Sequence, residues 1–327
     1  MTLDIQDFVS QASGDIAVED IPPAVQERVN GALEDLTGKE DGPAGPAGDL
    51  YDTVVAADGS GDYTSIQTAV DNVSSGAVIS VEAGTYDEQV SIDTSDVTIF
   101  GAGQGETVID ASGNDGRGVE VNNPGVTLRE FTVIGPDESS EGSYGIKIQP
   151  FGPDGPDGEP TLPGKPATVD SITVKGSYKT ELDLIGVENG TVSNVVLNGQ
   201  NTRGVGLALS HCKNVSLENV ETRNNGWGGI GLFTNGEFSS LELANITISN
   251  HTAANGESVA PIYLDPVTGN YDLPSLVPSC QYKVTSEGFR DGDFQWFFET
   301  QSAANDYKTV LESDGSLSAS VTERPES

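Results

Sequence analysis

A recurring interval constrains this chain more than any other feature. Asn194, Asn219 and Asn245 follow one another at 25 and 26 residues, and each precedes an aliphatic residue, Val195, Val220 or Ile246. Two residues before each Asn stands another apolar side chain, Val192, Leu217 or Leu243. Ser171, with Val169 and Ile172, and Glu130, with Leu128 and Phe131, extend the same column upstream. A second column reads Gly-Val119-Glu-Val121, Gly-Ile146-Lys-Ile148, Gly-Val205-Gly-Leu207 and Gly-Ile230-Gly-Leu232. Each repeat is therefore a set of short period-two stretches separated by Gly and Asn turns.

Strands alone, repeated at this interval, predict an all-β solenoid, a parallel β-helix, in which one coil buries its inward side chains only by stacking on the next. A β-sandwich has no reason to keep that interval. The Asn column is expected at a corner, where stacked amides satisfy one another and a turn backbone that would otherwise be buried unpaired.

The opening coils carry a resemblance. VVAADGSGDYTSIQTAVDN (54–72), VISVEAGTYDEQVSI (78–92) and VTIFGAGQGETVIDAS (97–112) resemble the first coils of pectinesterases and, more widely, the pectin-lyase-like superfamily, which implies that the β-helix is right-handed. The resemblance implies a short helix over Ser65–Asn72 that caps the open end with Ile66, Ala69, Val70 and Val73. It does not bring the chemistry with it. The G-x-x-D-F-I-F-G and L-G-R-P-W segments of pectinesterases are missing; Gly292-Asp293-Phe294 is the nearest fragment and lies beyond the repeat. Of the polygalacturonase-like segments, Leu209-Ser210-His211 keeps only a histidine, and no lyase-like basic and acidic cluster stands out. Hydrolysis of a glycoside asks only for two suitably spaced carboxylates, and Glu181 with Asp183, or Glu218 with Glu221, could meet across coils. With 51 Asp and Glu in the chain, such pairs arise by chance, and a solvated face accounts for them. His211 reads as a corner residue. No catalytic residue and no cofactor are assigned, and a metal site is left open.

Binding residues are read from the edge ahead of the second column. Arg117, Tyr144 and Arg203 stand two residues before the first inward aliphatic of their coils, and Trp227 three before Ile230. Aromatic faces stack on sugar rings and Arg pairs with carboxylates, so these four are the candidate contacts to a glycan.

Three segments follow. Residues 1–50 are an attachment and oligomerisation arm: Val25, Val29, Leu33 and Leu36 share a helical face, and GPAGPAGD (42–49) adds collagen-like triplets. Residues 51–265 are the β-helix, interrupted by GPDGPDGEP (152–160). Residues 266–327 form a small C-terminal β module, with CQYKVT, DFQWFFE and DYKTVLESDGSLSASV read as strands. Helix, Gly-Pro triplets and β-helix together look like viral tail fibres and spikes, so a homotrimer is expected, joined to other virion proteins through residues 1–50.

Charge narrows the partners. Against those 51 acids stand 15 Lys and Arg, a net −36, which repels nucleic acid and anionic lipid. Such acidity resembles proteins of extreme halophiles. No apolar run is long enough for a membrane span, and the first twenty residues have neither the basic nor the apolar region of a secretory signal. The expectation is a surface subunit of a virus of a halophilic host, located on the virion and contacting a host-surface glycan or glycoprotein. A secreted polysaccharide-modifying enzyme and a cellular adhesin remain as alternatives. Cys212 and Cys280, the only cysteines, are left open as a pair.

Overall fold

The computed structural model describes residues 51–137, 142–149, 165–200, 204–233, 244–249, 252–254, 262–265, 282–289, 292–298, 300–312 and 318–323. The proposed arm and GPDGPDGEP lie outside them. Within them the chain is a parallel β-solenoid. One sheet runs in the order Thr53–Val55, Val78–Val81, Thr98–Gly101, Val126–Ile134, Ala167–Lys175, Thr191–Asn198, Lys213–Arg223 and Ala244–Ser249. A second begins with Val90–Ile92, Arg117–Val121, Tyr144–Ile148, Thr180–Ile185, Val205–Ser210, Gly228–Phe233 and Ile262–Asp265.

Alternation along each strand puts one set of side chains inside. In the first sheet Ile79, Ile99, Leu128, Val169, Val192 and Leu217 stand in register, and in the second Val90, Val119, Ile146, Leu182, Leu207, Ile230 and Ile262 do the same. All belong to one buried core. Each inward aliphatic contributes roughly 1.5–3 kcal/mol relative to exposure.

Two expected registers are corrected. The sequence pattern aligns Val205 with Val119 and Ile146, but Leu207 takes that place, and Val205 pairs with Gly228. A slip of two residues is silent in a period-two pattern, because Val205, Leu207 and Leu209 are all buried. The coil at Leu182 and Leu184 falls outside the sequence pattern, because Glu181 stands where the other coils have glycine. Asn245 lies across from Asn214, between the pairs Lys213↔Ala244 and Val215↔Ile246, and not across from Asn219. The coil is longer there, and its interval from Asn214 is 31 residues.

The Asn columns differ in environment from the expectation. Asn219 Nδ2 donates to Asn194 Oδ1 at 2.9 Å, Asn214 Nδ2 to Asn189 Oδ1 at 3.0 Å, and Asn224 Nδ2 to Asn198 Oδ1 at 2.7 Å. Asn189, Asn194, Asn214, Asn219 and Asn224 are exposed, not buried. Their backbones explain the residue type: φ is 59, 54, 53, 53 and 52° at these five, a left-handed conformation that Asn tolerates better than most side chains. Ser171 and Glu130 share it at 55 and 60°.

Helix α1, Ile66–Asn72, covers the first coil with Ile66, Ala69 and Val70 buried. Its start is held twice. Ser65 Oγ accepts from the Thr68 amide at 3.2 Å, and the Glu88 carboxylate, from the next coil, accepts from Ser65 Oγ and from the Ile66 and Gln67 amides at 2.8, 2.8 and 2.9 Å. A carboxylate at a helix N-terminus satisfies orphan donors and opposes the helix dipole. Glu88→Ala is expected to lower stability by about 1–2 kcal/mol in a urea titration. An unchanged midpoint would show that water replaces the carboxylate without loss.

At the other end the second sheet continues with reversed polarity. Gly292–Phe298 pairs antiparallel with Ile262–Asp265, then Tyr282–Phe289 and Ser318–Glu323 follow. The strand read over DYKTVLE is instead helix α2, Gln301–Glu312, and only Ser318–Glu323 of that stretch is a strand. Ala304, Tyr307 and Leu311 fall at helical spacing, and Ala304 is buried. No helix among the described residues is long and apolar enough to cross a membrane.

Candidate functional site

The outward face of the second sheet carries one row that changes character along the solenoid: Glu120, Lys147, Asp183, Ala208 and Gly231, in register. Its first members are charged and paired. Arg117 Nη1 meets Glu120 Oε1 at 2.7 Å, and Lys147 Nζ meets Asp183 Oδ2 at 3.3 Å. Its last members have almost no side chain, so the sheet surface becomes a shallow floor.

Walls rise around that floor and enclose a cleft of about 290 Å³. At one end lies Tyr144, with Lys147 Nζ 4.4 Å and Lys179 Nζ 5.2 Å from its ring centre. At the other stand Trp227 and Phe233. A Cβ on Gly231 would come within 2.6 Å of the Phe233 ring, so only glycine lets that ring lie over the floor. Trp227 is 47 % exposed, the most exposed large hydrophobic side chain among the described residues. Its backbone amide donates to Gly204 O at 2.9 Å, which ties the aromatic to the corner before Val205–Ser210. Tyr144 lies three strand steps from Gly228–Phe233, the strand that Trp227 immediately precedes, about 14 Å at a strand spacing of ~4.8 Å.

Two buried carboxyls sit on the same strand and do different things. Asp183 faces the cleft; burial pushes its carboxyl up, while the positive charges of Lys147, Lys179 and Arg117 pull it back. Glu181 turns away from solvent. Ser177 Oγ donates to its Oε2 at 2.6 Å and Ser177 N to its Oε1 at 3.2 Å. Burial pushes Glu181 up to about 8, against the opposing effect of those bonds. The register partners flanking it are Gly145 and Gly206, which leave it room. Glu181 and Asp183 therefore form no catalytic pair across a substrate. Glu218 is exposed on the first sheet, and Glu221 is bound by Arg223 Nε at 2.5 Å.

The four residues expected to line one edge are not brought together as such. Arg117 and Tyr144 are in register. Trp227 precedes by one the residue that continues their column, Gly228, because Tyr144 pairs with Thr180 and Val205 with Gly228. Arg203 lies outside the described residues, two positions ahead of Val205. Of the four, Tyr144 and Trp227 reach the cleft, and Arg117 is held by Glu120. Lys147 and Lys179 were missed, and Asp183 was named as one of a carboxylate pair but set aside as solvated, since on an outward face a working charge looks like a solvated one. His211 is a buried corner residue with φ of 55°. Cys212 is a free, buried thiol, pushed up to about 12 by burial, with Sγ 3.4 Å from the Leu184 and Ser210 carbonyls. Cys280 lies outside the described residues.

Comparisons with known proteins bear on the opening coils. The pectinesterase family matches residues 52–129. A putative pectinesterase/pectinesterase inhibitor of Arabidopsis thaliana is 42 % identical over 79 residues, 22 % of this chain and 17 % of that protein, so the match spans about a sixth of the relative. Among solved structures, pectin methylesterase PemA from Erwinia chrysanthemi is 14 % identical over 64 % of this chain and 68 % of its own, with a TM-score of 0.37. The ORF18 protein of Geobacillus virus E2 is 14 % identical over 78 % of this chain and 48 % of its own, with a TM-score of 0.42. The family match ends at residue 129, ahead of Tyr144 and every other residue that lines the cleft.

Proposed function

We propose that this chain recognises an acidic polysaccharide in the cleft of the second sheet, acting as a surface subunit of a virus particle, with residues 1–50 as its attachment arm and other copies of the chain as partners. The observation that carries the glycan reading is the placing of two lysines around the Tyr144 ring, opposite the exposed Trp227. In a chain with net charge −36, a cleft that presents cations beside aromatic faces selects an anionic ligand with flat apolar faces, and a uronate-containing polymer has both. The span of about 14 Å between Tyr144 and Trp227 requires a chain of several sugars rather than a monosaccharide. The extreme acidity and the Gly-Pro triplets of the arm support the particle setting, where many weak contacts add through effective concentration.

The test is a titration of polygalacturonate against a neutral dextran in molar salt, followed by tryptophan fluorescence. Polygalacturonate should bind and dextran should not. Trp227→Ala should weaken binding by roughly 2 kcal/mol, ~30-fold in Kd. Equal affinity for both polymers, or an unaffected Trp227 variant, would sink the reading.

A second reading has its own support. Asp183 is a buried carboxylate in the cleft, beside the Lys147 ammonium at 3.3 Å, an arrangement able to hold a nucleophile next to a developing negative charge. Together with the pectinesterase-like opening coils, this favours hydrolysis of a sugar ester. Methanol released from methyl-esterified polygalacturonate, and lost in Asp183→Asn, would establish it over binding alone.

A further inference from the structure

The first sheet carries the sequence Asn-x-Ser/Thr three times at one height. Asn189-Gly190-Thr191, Asn214-Val215-Ser216 and Asn245-Ile246-Thr247 lie on successive coils. Thr191 is in register with Ser216 and Ser216 with Thr247, while Asn214 bonds to Asn189 and faces Asn245. This tripeptide is the acceptor sequence for N-linked glycosylation, which needs an exposed asparagine. Asn189 and Asn214 are exposed, and so is Thr191.

The left-handed backbone alone accounts for asparagine in the ladders, but not for the hydroxyl two residues later. Asn194 and Asn219 have the same conformation and the same ladder bond, yet Val196 and Glu221 follow them. The outward hydroxyl row itself runs further, through Thr127 and Thr168, where Gly125 and Pro166 stand in place of asparagine. The acceptor sequence arises only in the later coils, where the Asn column and the hydroxyl row coincide.

Between Asn189 and Asn214 the hydrogen bonds choose one site. Asn214 spends an Nδ2 hydrogen on Asn189 Oδ1 at 3.0 Å, whereas Asn189 receives that bond on oxygen, and its own Nδ2 donates to no described residue. Elsewhere, Asn72-Val73-Ser74 has its Nδ2 tied to Thr68 O at 2.8 Å, and Asn250-His251-Thr252 begins outside the described residues. We propose that Asn189 is N-glycosylated. The donor is an oligosaccharide linked through phosphate to a lipid, brought by the cell's transferase. Asn189 Nδ2 attacks sugar C1; the N–C1 bond forms as the C1–O bond to phosphate breaks. The lipid phosphate leaves with the electron pair, and one Nδ2 proton passes to a base of the transferase. Asn189 Oδ1 stays available to Asn214. A hexose with its hydration is wider than one strand spacing of about 4.8 Å, so a glycan on Asn189 shields Asn214 from the same reaction.

Trypsin separates the two sites, since cleavage after Lys179, Arg203, Lys213 and Arg223 gives Thr180–Arg203 with Asn189 and Asn214–Arg223 with Asn214. Mass spectrometry of the full chain isolated from its natural source should find a sugar mass on Thr180–Arg203, located at Asn189 by fragmentation, and an unmodified Asn214–Arg223. Expressed in the same cells, Thr191→Ala should lose the sugar entirely and Thr191→Ser should retain it, with unchanged circular dichroism in both. A bare Thr180–Arg203 peptide, a sugar on Asn214 instead, or a sugar surviving Thr191→Ala would overturn the assignment.

Discussion

Replacing Gly204 by alanine is expected to destabilise the solenoid by more than about 4 kcal/mol, enough to unfold a domain of ordinary stability. Gly204 has φ of +77°, and a Cβ there would lie 1.5 Å from Lys179 O, 2.4 Å from Lys179 C and 2.8 Å from Thr180 Oγ1. These are backbone atoms of the adjoining coil and the hydroxyl beside them, so no side-chain rotation relieves the overlap. The strain of a left-handed alanine adds roughly 1–2 kcal/mol. Relief would require the Lys179 segment to move, and with it one cation of the cleft; Gly204 O also holds the Trp227 amide. Gly76→Ala and Gly113→Ala isolate the backbone part. Both glycines have positive φ, +89 and +73°, with nothing within 4 Å of the added carbon, so each should cost only about 1 kcal/mol. Urea unfolding of the three variants checks the order; equal losses would mean that the corner at Gly204 yields.

The second large effect concerns pH. Glu181 titrates near 8 when folded and near 4.5 in the reference state. The folded chain therefore holds this proton between those values while the unfolded chain has released it. That contribution to stability is fully present below about 4.5, declines as pH rises and is gone above about 8, a change on the order of a few kcal/mol. General repulsion among the carboxylates has the same sign, so wild type must be compared with Glu181→Gln. The amide keeps the shape without the ionisation. The difference in unfolding free energy between the two proteins should move steadily in favour of Glu181→Gln from pH 5 to 8, as followed by urea titration at fixed high salt. A difference that stays constant across the range would show that water reaches the Ser177 pocket.

The fold was legible because its signal is repeated. Val192 with Leu217, and Leu128 with Val169, stand in one column by interval alone, whereas the helix at Ser65–Asn72 is implied by the resemblance to pectinesterases, with its apolar residues fitting that role. Register was less legible wherever the pattern forgives a slip. Two residues at Val205 change nothing in an alternating strand, and an Asn twenty-six residues beyond another is persuasive even when the coil has lengthened. The expected amide pairing of Asn194 with Asn219 is present, but on an exposed corner, so relief of burial does not account for these asparagines and their left-handed backbone does. The cleft was half legible. Tyr144 and Trp227 stand out as aromatics at an edge, whereas Lys147, Lys179 and Asp183 acquire meaning only when Ala208 and Gly231 lower the floor beside them.

The pairing of each coil with the one that follows it in sequence also bears on how the chain reaches this state. Val192 and Leu217, or Leu207 and Ile230, are separated by a single coil of sequence, and no strand of the solenoid waits for a partner from the far end of the chain. Folding in such an array is a nearest-neighbour process that starts in any stable pair of coils and spreads in both directions. The antiparallel strands that follow Ile262–Asp265 need that strand in place as a template, and so complete last. Hydrogen exchange should accordingly be slowest in the central coils and quicken toward both ends.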